Sequence, residues 1–134
     1  DPHVLYFAAN VVFETRDGGH SWKEISPDLG RPHPGIPANL GTLPAPAAAA
    51  AEKQRGVIYA LAPSPKSLST LWAGTDDGLV WLTTDGGAKW NDVTPPAMTP
   101  WSKVTQIDAS AALSTKSYRL CLGASGRSPV MLRP

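Results

Sequence analysis

Cysteine is nearly absent. The single Cys121 excludes an intrachain disulfide and a thiolate-rich zinc site, and it leaves the redox compartment open. Charge of one sign is missing too: 12 Lys plus Arg stand against 11 Asp plus Glu, a formal net charge of +1, and the basic residues are scattered. Phosphate affinity needs clustered Lys and Arg, so neither nucleic acid nor an anionic membrane is an expected partner. There is no long hydrophobic run. The longest apolar stretch, Leu43 to Ala51, is Ala-dominated, interrupted by Pro44 and Pro46, and well short of the ~20 residues that cross a bilayer as a helix. His3, His20 and His33 share no ligand spacing and no HExxH occurs, so no metal and no cofactor is expected. Ser125 in GASGRS lies outside a G-x-S-x-G elbow, and no phosphate loop is present. The chain opens Asp-Pro-His without a Met or a basic-then-apolar leader and reads as an excerpt, any signal peptide having been removed or left out.

What is present is an internal repeat. LYFAANVVFETRDGGHSWKEISP, Leu5 to Pro27, resembles TLWAGTDDGLVWLTTDGGAKWNDVTP, Thr70 to Pro95. Aligned on Asp-Gly-Gly, residues Thr15, Asp17, Gly18, Gly19 and Trp22 meet Thr83, Asp85, Gly86, Gly87 and Trp90, and Phe13 meets Trp81. Upstream, Leu5-Tyr6 meets Leu71-Trp72 once two extra residues are allowed in the turn at Asp76 to Gly78. A weaker echo links Val57 to Pro65 with Val104 to Ser110.

β-Branched and aromatic runs bounded by Pro, Gly, Asp or Asn predict four strands in the second unit: Val57 to Ala62, Leu71 to Thr75, Leu79 to Thr83 and Trp90 to Val93. Four strands in about 40–50 residues is the size of a propeller blade. Leu5 to Ile25 then supplies three strands of a preceding blade, and Val104 to Asp108 opens a third. The organisation expected is a partial blade over 1–27, a Pro, Gly and Ala-rich insertion over 28–55, a full blade over 56–95, and the start of a further blade with an atypical tail over 96–134. Within the insertion, Pro46 suits a first helical turn and Gly56 a stop, which predicts a short helix from Pro46 to Arg55.

Each position of the shared T-x-D-G-G-x-x-W string has a mechanical reason. The Asp carboxylate accepts nearby backbone N–H groups and folds a turn. The paired glycines take positive φ without a Cβ clash. Trp22 and Trp90 are then expected to bury between blades.

These two strings, TRDGGHSW and TTDGGAKW, resemble the Asp-box, or BNR repeat, of sialidase-like and sortilin-like β-propellers. The flanking ISPDLGRP, LAPSP and WNDVTPP look closer to the large bacterial sortilin-like and glycoside-hydrolase-74-like BNR proteins. The resemblance covers about Leu5 to Ser110 and implies an all-β fold of two to three blades of a multi-bladed propeller. It places the Asp-box on the blade periphery, away from catalysis, and favours an extracellular or periplasmic site. The tail AALSTKSYRLCLGASGRSPVMLRP lacks another Asp-box and reads as truncated or frame-shifted.

The adjacent Asp76 and Asp77 fit a hairpin turn better than a glycosidase carboxylate pair, because neighbouring strand residues face opposite ways. Asp108 is the catalytic candidate: a carboxylate where the echoing strand has Ala62, on a strand expected to line the central channel. Trp101 is the ligand-binding candidate, as an indole for stacking on a sugar, against a role as a packing anchor. A closed propeller takes at least about four blades, roughly 200–350 residues, so the remaining blades or another copy of the chain are the expected partners. The function expected is a structural and recognition segment without a complete active site. The alternatives are a piece of a glycan-hydrolysing glycoside hydrolase and a sortilin-like propeller that binds an extended peptide by β-augmentation.

Overall fold

In the computed structural model, the described residues are 3–36 and 55–109, positions 44, 47, 49, 50 and 53, and the strand backbones 118–122 and 130–132. Ten strands make three antiparallel sheets. The first contains β1 (Leu5–Ala8), β2 (Val12–Thr15) and β3 (Lys23–Glu24) in the order β1-β2-β3. The second contains β4 (Ile58–Ser64), β5 (Ser67–Thr75), β6 (Val80–Thr83) and β7 (Asn91–Asp92) in the order β4-β5-β6-β7. The third is β8 (Val104–Ala109), β9 (Tyr118–Leu122) and β10 (Val130–Leu132), with β9 in the middle.

The second sheet is the centre of the packing, and β5 shows why. Its residues from Thr70 to Thr75 are buried without a break, as a strand covered on both faces must be. Leu71 and Ala73 pack with Val12 and Ile25 of the first repeat and with Leu29 just after it, whereas Trp72 packs with Val104 and Ile107 of the third sheet. Trp72 is 2% exposed, a burial that contributes on the order of 3 kcal/mol. A bulge between Ile58 and Ala60 turns β4 so that Ile58 joins the first cluster while Ala60 and Ala62 join the second. Gly74 lies where a Cβ would strike Val104, so its small size lets the third sheet close on the second.

Sequence and structure differ at several places. β4 runs on through Pro63 to Ser64 and β5 starts at Ser67, so the hairpin is longer than the propensity pattern implies. β4 lies at the end of its sheet, where a proline without an N–H is tolerated. The tail, which reads as foreign to the repeat, places β9 beside β8 and β10 beside β9, with Ile107 opposite Leu120 and Asp108 opposite Arg119. Ala47, Ala49 and Ala50 have helical backbone, and the Lys53 N–H donates to Ala50 O at 3.2 Å. Arg55 lies outside that helix, and the other residues of the expected 46–55 segment fall outside the described residues.

Candidate functional site

The two Asp-Gly-Gly turns fold alike. In the first, the Thr15 hydroxyl donates to Asp17 Oδ1 at 2.7 Å and accepts the Gly19 N–H at 2.9 Å. In the second, the Thr83 hydroxyl donates to Asp85 Oδ1 at 2.8 Å and accepts the Gly87 N–H at 3.0 Å. Each carboxylate also accepts the N–H four residues on, from Ser21 and from Lys89, both at 2.9 Å. The glycine φ values match: 70° and 99° at Gly18 and Gly19, 74° and 95° at Gly86 and Gly87. These bonds favour the ionised carboxylates. The Ser21 hydroxyl and N–H, then Thr15, hold Asp17 far below the usual carboxylate range. The Lys89 N–H and then the Thr83 hydroxyl lower Asp85.

The indoles that follow part company. Trp90 is half-buried against the first cluster and its Nε1–H donates to Ile25 O at 2.8 Å. Gly87 lies against the same carbonyl so tightly that no Cβ fits. Trp22, expected to be buried as well, is 46% exposed and meets Phe7 edge-on at 6.4 Å. The reason is geometric: the first sheet covers Trp90, and among the described residues no sheet covers Trp22. A groove of about 620 Å³ follows the seam between the first two sheets, lined by Arg16, Lys23, Ile25, Leu68 and Asp85 among others. Arg16 is paired with Glu14 at 2.5 Å.

The opposite end of the second sheet is built around Asp77. This side chain is fully buried in the β5–β6 turn and accepts the Thr75 hydroxyl and, at 2.7 Å, the Arg31 N–H. The Arg31 guanidinium then donates to Asp77 O at 2.9 Å and Gly78 O at 3.2 Å. Its neighbour Asp76 accepts the Val57 N–H at 2.8 Å. Both carboxylates therefore hold backbone, and Gly56 leaves the room that Asp77 needs. Sequence reasoning saw a turn here and missed the clamp between insertion and sheet. The signal was present, since Thr75-Asp76-Asp77 repeats the Thr-x-Asp spacing of both Asp-Gly-Gly turns.

Trp101 stands at this same end. It is half-buried, has φ 64°, takes its backbone N–H to Asp77 O at 3.1 Å, and donates its indole N–H to Gly35 O at 3.0 Å. Asp108 is exposed near the end of β8. A pair that sequence reasoning did not single out joins β4 to the entry of β8: Tyr59 on β4 is 55% exposed, and the Lys103 ammonium sits 3.4 Å from its ring centroid. Lys103 immediately precedes β8, so the pair joins the first strands of two adjacent sheets. Among the described residues no group of three or more His, Cys, Asp or Glu gathers as a metal site would.

Neither a family model nor a curated protein matches the chain. Among solved structures, YCF48 bound to D1 peptide, a β-propeller protein, matches over 98% of this chain with a TM-score of 0.53 and 19% sequence identity. The three sheets are propeller blades. This chain spans 37% of the length of that propeller chain, and the likeness is one of fold.

Proposed function

We propose that the chain is a segment of an Asp-box (BNR) repeat propeller that works by recognition, taking an extended protein segment at the end where the insertion meets the second and third blades. The observation that carries this reading is the exposed Tyr59 ring capped by Lys103, which offers an aromatic surface and a cation together on β4 and at the entry to β8. Behind it, Asp77, Arg31 and Trp101 fix the surrounding loops through six hydrogen bonds to backbone or hydroxyl groups, so the surface is preorganised. The similar propeller YCF48 is bound to a peptide, which supports a protein partner over a glycan. Asp76 and Asp77 hold backbone, so neither supplies the partner that Asp108 would need as one of a glycosidase's two carboxylates.

Fluorescence anisotropy with labelled acidic, extended peptides tests the reading. Tyr59→Ala and Lys103→Ala are each expected to weaken binding about three- to fivefold, the ~0.5–1 kcal/mol of an exposed cation–π contact. Incubation with soluble β-glucans is expected to release no reducing ends. Glucan cleavage that disappears in Asp108→Asn would replace this reading with the glycoside hydrolase one, and peptide affinity indifferent to Tyr59 would move the site elsewhere.

A further inference from the structure

Among the described residues, Trp101 is the one non-glycine with a positive φ, 64°. It stands third in Thr99-Pro100-Trp101-Ser102, a turn closed by the Ser102 N–H donating to Thr99 O at 3.0 Å. Proline second and a positive φ third is the type II pattern, in which glycine or asparagine takes the third place because a Cβ is disfavoured there. A large aromatic in that place persists only where its surroundings over-determine it. They do so from two sides. The Trp101 backbone N–H donates to Asp77 O at 3.1 Å, the same carbonyl that accepts Arg31 Nε at 2.9 Å, and the indole N–H donates to Gly35 O at 3.0 Å. One short segment, Arg31 to Gly35, thus holds the turn at its backbone and at its side chain. A Cβ at Gly78 would come within 2.7 Å of Thr99 O, so the turn also rests directly on the loop between β5 and β6.

Just past this turn the chain delivers Lys103. Its backbone N–H donates to Trp101 O at 3.0 Å, which ties it to the strained residue itself, and its ammonium lies 3.4 Å from the Tyr59 ring centroid. Among the described residues no carboxylate forms an ion pair with Lys103, so the turn, and not an opposing charge, aims it. We infer that Trp101 is the positioning residue of the Tyr59 and Lys103 surface, and that the segment Arg31 to Gly35 sets, through the indole, how fully Lys103 covers the ring. The coupling runs through three contacts: Gly35 O to the indole, Trp101 O to the Lys103 N–H, and the ammonium to the ring. Glycine in the third place would keep the turn whatever the segment did. Tryptophan keeps it only while Gly35 O holds the indole, so the surface is assembled when that segment is seated and loosened when it is not.

In its effect on affinity the inference rests on the recognition reading, whereas its geometry is measured without any ligand. The 134-residue chain is reductively methylated with 13C-formaldehyde, which keeps the lysine charge, and the Lys103 methyl resonance is assigned with Lys103→Arg. The Tyr59 ring is expected to shift that resonance upfield, a shift that Tyr59→Leu removes. Trp101→Gly, which suits the turn and deletes the indole, is expected to cut the shift by half or more. Gly35→Ala is expected to cut it too, because its Cβ meets open space and only the φ of 72° is strained. Gly18→Ala is the control, an equally open glycine at φ 70° in the first Asp-Gly-Gly turn, and is expected to leave the shift unchanged. An unchanged shift in Trp101→Gly or in Gly35→Ala overturns the inference, and an equal loss in all three variants overturns it in favour of general loosening. With the acidic peptides, Trp101→Gly is expected to weaken binding up to three- to fivefold and to add nothing on top of Lys103→Ala. Peptide affinity indifferent to Tyr59 removes the recognition reading alone, since the methyl shift still reports the positioning.

Discussion

Two turns of nearly the same sequence occupy two different situations in this chain. Around Asp17 and around Asp85 the hydrogen bonds, glycine torsions and carboxylate environments agree closely. What differs is the neighbour: Trp90 and Gly87 are pressed onto the Ile25 carbonyl, whereas Trp22 and Gly19 are not pressed onto another sheet. The turn is therefore a self-contained local device, and the seam is a separate property added when a second blade arrives. Substitutions in the turn should act equally in both copies, and substitutions in the seam should not.

The largest asymmetry is expected at the second glycine. Ala at either position must adopt a φ near 95–99°, a strain of about 1–3 kcal/mol. Gly87→Ala adds a collision with the Ile25 carbonyl and is expected to cost more than about 3 kcal/mol, enough to remove a large part of a marginal stability. Gly19→Ala is expected to cost only the strain, and urea unfolding of both variants measures the gap. Next comes the indole: Trp90→Ala should cost about 3–4 kcal/mol and Trp22→Ala about 1 kcal/mol or less, by thermal unfolding. Equal losses at the two tryptophans would break the comparison.

Symmetric effects should follow. Thr15→Ala and Thr83→Ala each remove a buried hydroxyl that both donates and accepts, and each is expected to cost about 1–2 kcal/mol, the same within error. The smallest effect is on pH dependence. Both Asp17 and Asp85 are depressed in the folded chain, so their contribution is fully present above the unfolded carboxylate value of about 3.9 and is lost as pH falls toward the folded values. The stability gap between the unaltered chain and Asp17→Asn or Asp85→Asn should hold from pH 7 to about 5 and narrow below about 4. A gap that widens on acidification would contradict the assigned carboxylate bonding.

Much of this was legible in the sequence because it is local. Thr-x-Asp-Gly-Gly specifies a turn with its own donors and acceptors, and the β-branched and aromatic runs bounded by Pro, Gly, Asp or Asn mark the strands of the second unit. The exposure of Trp22 was not legible, since the sequence of the two copies says what the indoles can do and not which neighbour is in place. Asp77 was half legible: its turn follows from Asp-Asp-Gly, but its burial depends on Arg31, distant in sequence and brought in by the insertion. The Tyr59 and Lys103 pair joins two blades, and no local pattern announces such a contact. The tail hid its strands because β9 pairs with β8, and β10 with β9, without the Asp-Gly-Gly turn that marks the other two blades.

Indole hydrogen exchange in the 134-residue chain, read by NMR at Nε1–H for each tryptophan, tests the central comparison most directly. Trp90 should be strongly protected by its bond to Ile25 O, while Trp22 exchanges at close to the rate of a free indole. Trp22 and Trp90 exchanging at the same rate, fast or slow, would contradict the separation of turn from seam.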